Sequence, residues 1–252
     1  MFFLIVSHRY IIMKPEMISM FNGKLKAITF SYDDGVTQDK RLIEIFNKYG
    51  LKCTFNLNSG LLGNANLLVI DGITVAHCKP RPEEIREIYK GHEIASHTVT
   101  HPRLPELSDE EIIKEVENDR LALSELAGYE VVGFAYPSGG VNFDDRVADI
   151  IKNNTGIKYC RTAISTGNFN IQSNLFEFRP TVGHHHEYRD MLELGKKFVE
   201  LETDKPSLLY IWGHSYEFDI YNRWAEFEEF CKFLSNRNDI FYGTNREVLL
   251  DE

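Results

Sequence analysis

Cysteine is scarce in this sequence and never closely paired. The four residues, Cys53, Cys78, Cys160 and Cys231, are widely spaced with no C-x-x-C among them. That spacing excludes a disulfide framework and a zinc knuckle and leaves buried free thiols as the plain reading. Positive charge is also short: 28 Lys and Arg against 38 Asp and Glu give a net charge of −10. Phosphate backbones and anionic lipid both require clustered cations, so neither a nucleic acid nor a membrane surface is expected as a partner. No apolar run approaches the length of a membrane span. Residues 1–13 come nearest, but His8 and Arg9 interrupt them, and they have neither a basic leading segment nor a small-residue cleavage site. They predict an N-terminal extension over 1–22, followed by one domain over 23–252 in the cytoplasm; an extracytoplasmic placement is the alternative. Two nucleotide signatures are missing as well, a G-x-G-x-x-G turn after the first strand and a P-loop.

What is present is the ordinary balance of a globular protein, 43% hydrophobic and 26% charged. With no repeat and no low-complexity linker, the length suits a single α/β domain whose core needs no covalent or metal staple. Strand-like and helix-like segments alternate along it. Residues 26–32 read as a buried strand closed by Asp33-Asp34-Gly35. Residues 38–49 place Leu42, Ile45, Phe46 and Tyr49 on one helical face, with Gly50 as the stop. Strand patterns recur at 53–57, 93–96, 131–136, 159–162, 208–212 and 240–242, and helix patterns at 81–90, 144–153, 189–200 and 222–236. Ser108 and Glu111 make a capping box ahead of Ile112, Val116, Leu123 and Leu126. Repeated β-then-α units imply parallel strands with right-handed crossovers, which a doubly wound sheet and a barrel both satisfy.

The reactive side chains fall at the C-terminal ends of those strands, the edge where parallel α/β folds gather their active sites. Asp33 and Asp34 leave the first strand in different directions, so one carboxylate can bind a cation while its neighbour stays free as a base. The cation also relieves the repulsion that would make the pair share a proton. Alone, a D-D-G is more often a turn or a cap. His97 and His101 are four apart, and two imidazoles joined to a carboxylate such as Asp34 make an open metal site. His214 ends an apolar run and suits a general acid beside such a site. The turn Tyr136-Pro137-Ser138-Gly139-Gly140 offers a backbone N–H to a developing oxyanion. The run His184-His185-His186 lies in a loop after Arg179-Pro180; adjacent side chains cannot all face one ion, so it is left out of the ligand set. His77 reads as an isolated structural residue. Tyr136, Trp212, Tyr216 and Trp224 lie near the rim, where aromatic rings could stack on a sugar.

Across roughly residues 26–218 these features resemble the polysaccharide deacetylase family, the carbohydrate esterases that share the NodB homology region. Its T-F-D-D-G motif is matched by Ser31-Tyr32-Asp33-Asp34-Gly35, and H-[ST]-x-x-H by His97-Thr98-Val99-Thr100-His101. R-x-P-x-G aligns with Ala135-Tyr136-Pro137-Ser138-Gly139, and L-x-H with Trp212-Gly213-His214. The resemblance implies a distorted (β/α) barrel of about seven strands, with Asp33 as catalytic base, Asp34, His97 and His101 as metal ligands, and His214 as catalytic acid. It also implies an oxyanion contact from the Ser138 N–H and a substrate pocket that includes Tyr136, Pro137 and Trp212, with Trp212 in place of leucine against the acyl methyl. Two departures stand out. Ala135 replaces the arginine that steadies the base, with Arg161 and Arg179 as candidate substitutes. The D-x-x-D-W motif is absent, since Ser165-Thr166-Gly167-Asn168-Phe169 carries no acid, and the partner of His214 is left open.

The expected function is therefore metal-dependent removal of an N-linked acetyl or other acyl group from an amino sugar or its oligomer. Zinc is the expected ion, with cobalt, manganese, nickel and iron compatible with the same donors. A related hydrolase of a small ureide, cyclic amide or N-acyl metabolite is the alternative. A non-catalytic carbohydrate-binding protein is another, although binding alone needs neither Asp33 nor His214. An iron oxygenase shares the ligand triad but would need a cosubstrate anchor that the sequence does not offer. The sequence does not speak to oligomeric state.

Overall fold

The computed structural model describes residues 20–185 and 188–250. Most of the expected extension over 1–22 lies outside the described residues, as does His186. The strands are β1 (Lys26–Asp33), β2 (Cys53–Leu57), β3 (Leu67–Ile70), β4 (Ile73–Ala76), β5 (Glu93–Ser96), β6 (Gly133–Ala135), β7 (Tyr159–Arg161), β8 (Val182–Gly183), β9 (Ser207–Gly213) and β10 (Ile240–Tyr242). Between them run α1 (Asp39–Tyr49), α2 (Ile85–Ile88), α3 (Asp109–Ala127), α4 (Asp145–Asn154), α5 (Tyr188–Glu200), α6 (Glu217–Ile220), α7 (Trp224–Leu234) and α8 (Asn245–Leu249).

Seven strands form one parallel sheet in the order β7-β6-β5-β2-β1-β9-β8, and β10 joins the first residues of β1. The sheet curls until its ends nearly meet. Residues 178–183 close the gap, with Phe178 bridging Arg161 of β7 and Val182 pairing with Ile211 of β9. This is a distorted (β/α) barrel, and the doubly wound alternative falls away.

Alternation along β1 explains both its core and its site. Ile28, Phe30 and Tyr32 point outward into an apolar cluster with Leu42 and Phe46 of α1 and Phe227 and Phe230 of α7. Thr29, Ser31 and Asp33 take the other face. There Thr29 Oγ1 donates to Asn245 Oδ1 at 2.9 Å, and Asn56 Nδ2 donates to Ser31 Oγ at 2.9 Å and Asp33 Oδ1 at 2.7 Å. A strand period of two thus carries Asp33 onto the polar inner face of the barrel, at its C-terminal rim.

Several elements differ from the sequence pattern. Phe21, inside the expected extension, is buried against Phe178, Leu208 and Tyr210. Residues 81–90 form a 3-10 turn at Pro82–Glu84 and the short α2 instead of one helix. The antiparallel hairpin β3–β4 was not in the pattern at all. Its signal is Asp71-Gly72 between alternating apolar residues; both take positive φ, 51° and 77°, as a two-residue hairpin turn requires. No helix among the described residues is long and apolar enough to cross a membrane.

Candidate active site

Parallel strands bring the ends of β1, β5, β6 and β9 to one rim, and with them Asp33 and Asp34, His97 and His101, Ser138, and His214. All of these line a single cavity of about 270 Å³, together with Trp212 and Tyr216. Asp34, His97 and His101 each offer a ligand atom, and these atoms lie within 4.8 Å of one another.

The donor set fits a divalent ion. His97 is 1% exposed, and its Nδ1–H donates to the Ala135 carbonyl at 2.8 Å, leaving the Nε2 lone pair free. Burial pushes the His97 imidazole down to about 4 and lowers His101 as well, so both are neutral near pH 7. The Ser138 N–H donates to His101 Nε2 at 3.4 Å, so that nitrogen carries its lone pair toward the same space. Burial pushes the Asp34 carboxyl up. The His77 hydrogen bond and the charges of Lys79 and His214 outweigh that and hold it well below the usual carboxylate range. One carboxylate and two neutral imidazoles are the donors of an open zinc-type site.

The backbone at this rim is strained. Asp34, Thr98, His101 and Ser138 all have φ between 63° and 77°. For a β-branched residue such as Thr98 that region is rare, and each such residue costs about 1–3 kcal/mol. The Asn58 side chain spans the turn by donating to the carbonyls of His97 and Thr98 at 2.6 and 3.1 Å.

Asp33 is buried and lies outside the cluster of three ligands. Arg161 Nη2 reaches both of its oxygens at 2.5 Å. Arg161 faces Ala135 directly across the β6–β7 ladder, so the arginine missing from one strand is supplied by its register partner on the next. Its guanidinium also stacks over Trp212, 4.7 Å from the ring centroid. Arg179 is not brought here; it is exposed, and its backbone pairs with the Gln172 side chain.

Across the cavity, His214 Nδ1–H donates to Glu217 Oε1 at 3.2 Å. The other oxygen of Glu217 accepts from His184 Nε2 at 2.6 Å, and His184 Nδ1 accepts from the Tyr32 hydroxyl at 2.8 Å. Burial alone would lower the His214 imidazole. The charge and hydrogen bond of Glu217, with Asp34 and Asp33 beyond, raise it to about 9. Glu217 thus fills the place left open by the absent D-x-x-D-W motif, and its only sequence signal is the H-x-x-E spacing from His214. His184 is held in this buried network instead of facing a ligand.

Other expectations need correction. Tyr136 also lines the cavity, but its ring stacks on Phe143 and its hydroxyl donates to the Phe176 carbonyl at 2.8 Å. Trp224 is buried against Phe218 rather than at the rim. Pro137 sits within the turn between Tyr136 and Ser138. His77 is not isolated, because its Nε2 lies 3.1 Å from Asp34 Oδ2.

The family model for polysaccharide deacetylases matches residues 22–159. The chain belongs to the polysaccharide deacetylase family. The peptidoglycan-N-acetylglucosamine deacetylase PgdA of Listeria monocytogenes is 26% identical over 143 residues, which are 54% of this chain and 27% of PgdA. The chain therefore spans about a quarter of that relative. The Streptococcus pyogenes deacetylase PplD, solved with acetate, shares the fold at TM-score 0.51 and 22% identity over 66% of this chain and 71% of its own. So does BA3943 of Bacillus anthracis, described as a pseudoenzyme, at TM-score 0.51 and 16% identity over 89% and 65%. Fold alone therefore does not establish turnover.

The matched span contains Asp33, Asp34, His97, His101 and Ser138 but ends before Arg161, His214 and Glu217. For this member of the deacetylase family, the residues beyond the match rest on geometry.

Proposed function

We propose that this protein is a metal-dependent hydrolase that removes an N-linked acetyl group from an amino sugar or its oligomer. The observation that carries the reading is one cavity holding three converging metal donors, a separate buried carboxylate and a cationic imidazole. Asp34, His97 and His101 would hold a divalent ion, with zinc the natural fit to their donors. When bound, such an ion polarises the amide carbonyl and lowers the pKa of the attacking water.

The chain's own residues do the rest. Asp33, oriented by Arg161 and Asn56, takes the proton from water as it attacks. The Ser138 N–H faces the position of the developing oxyanion. His214, protonated and aligned by Glu217, gives its Nε2 proton to the leaving nitrogen. Trp212 walls the cavity where the acyl methyl would lie.

Acetate and free-amine release from N-acetylglucosamine oligomers, measured beside small ureides and N-acyl metabolites, tests the reading. Release from the sugar, lost with a chelator and restored by zinc, is expected. Turnover of the small amides alone would move the function to the alternative. Sugar binding with no turnover of anything would make this a binding protein.

A further inference from the structure

The hairpin β3–β4 has no place in the chemistry just described, yet it reaches the ligand cluster. Val75 packs with Val36, Tyr216 and Ile220, so the hairpin touches both the segment after Asp34 and the α6 region that carries Glu217. Backbone bonds fix its exit. The Thr37 N–H donates to the Cys78 carbonyl, and the His77 N–H to the Asn66 carbonyl, each at 2.8 Å. At the tip the Tyr221 hydroxyl donates to Asp71 Oδ2 at 2.9 Å.

What this fixed exit delivers is His77 and Lys79. Lys79 Nζ donates to the Asp34 carbonyl, holding a backbone that sits at φ 77°. An ionised carboxylate only accepts hydrogen bonds, so His77 Nε2–H must donate to Asp34 Oδ2 across the 3.1 Å between them. The other oxygen, Oδ1, faces His101 Nε2 at 3.6 Å. The His77 ring is largely buried, edge-on to Tyr216 with centroids 5.2 Å apart. Oδ2 of Asp34 is thereby taken by a donor, while Oδ1, with Lys79 Nζ 3.8 Å away and beyond hydrogen-bond distance, is available to an ion.

We infer that His77 is a positioning residue for the metal site: it occupies Asp34 Oδ2, restricts the carboxylate to coordination through Oδ1, and so sets how tightly the ion is held. The inference rests on the metal-dependent reading above. Hydrogen-bonding partners that orient ligands typically alter metal affinity 10–100-fold when removed.

The test uses the full chain and zinc alone, titrated against a chromophoric chelator. His77→Phe keeps a ring against Tyr216 but has no donor. His77→Gln restores an N–H at similar reach. The expected result is zinc binding weakened about 10–100-fold in H77F and largely recovered in H77Q, with a matching change and recovery in the cobalt absorption spectrum. His77→Leu is a second donorless variant should H77F fail to fold. Equal loss in H77F and H77Q, or binding in H77F as tight as in the unaltered protein, would overturn the positioning role while leaving the metal-dependent reading intact. No zinc binding by the unaltered protein would overturn both.

Discussion

Two histidines share one cavity and are driven in opposite directions. His97, fully buried with its ring hydrogen-bonded to a backbone carbonyl, is pushed down to about 4, whereas His214, hydrogen-bonded to Glu217, is raised to about 9. Both imidazoles are desolvated, and what separates them is the carboxylate hydrogen-bonded directly to His214. The neutral ring offers a lone pair, and the charged ring offers a proton. In the proposed chemistry one residue type serves as ligand on one flank and acid on the other, and the environment assigns the role.

The largest way to break this contrast is to delete the charged partner. His214→Ala should lower kcat by about 10²–10⁴-fold in steady-state assays while zinc affinity stays as it was. Between the two flanks sits Asp33, held by Arg161 in a pair almost wholly excluded from water. Arg161→Leu leaves that carboxylate buried without its counter-charge and should cost about 3–5 kcal/mol of stability in denaturant titration.

Glu217→Gln is a finer test, because it removes the charge and keeps the shape. His214 must be protonated to act, so turnover should fall as pH rises through about 9. In E217Q that limb should move down toward the ordinary imidazole value near 6.5, read from kcat against pH. On the opposite flank the sign reverses, since the ligands must be neutral. Zinc loading should persist through neutral pH and fall as pH drops below the ordinary imidazole range, with His97 gaining its proton at about 4; an equilibrium dialysis series reads this smallest effect.

Much of this was legible in the sequence. The β-then-α alternation pointed to parallel strands with crossovers, the family resemblance selected the barrel over the doubly wound sheet, and the positions of Asp33, Asp34, His97, His101 and His214 at strand ends marked the rim, because these depend on local periodicity and on parallel topology. What was missed depends on register and on crossing distances. Arg161 was singled out from Arg179 only by lying opposite Ala135 in the ladder. His184 lies 33 residues from Glu217 and 152 from Tyr32, a network with no local pattern. Glu217 and the Asp71-Gly72 hairpin did have local signals, the three-residue spacing from His214 and the two-residue turn. The hairpin then carried His77, which looked isolated, to a partner 43 residues away.

The proposed chemistry turns on a division of labour between neighbouring carboxylates, Asp34 as ligand and Asp33 as free base. Zinc affinity measured in parallel on Asp33→Asn and Asp34→Asn tests that division most directly. Asp33→Asn should bind zinc as the unaltered chain does while losing turnover, and Asp34→Asn should lose zinc itself. Zinc retained by Asp34→Asn and lost by Asp33→Asn would contradict the account.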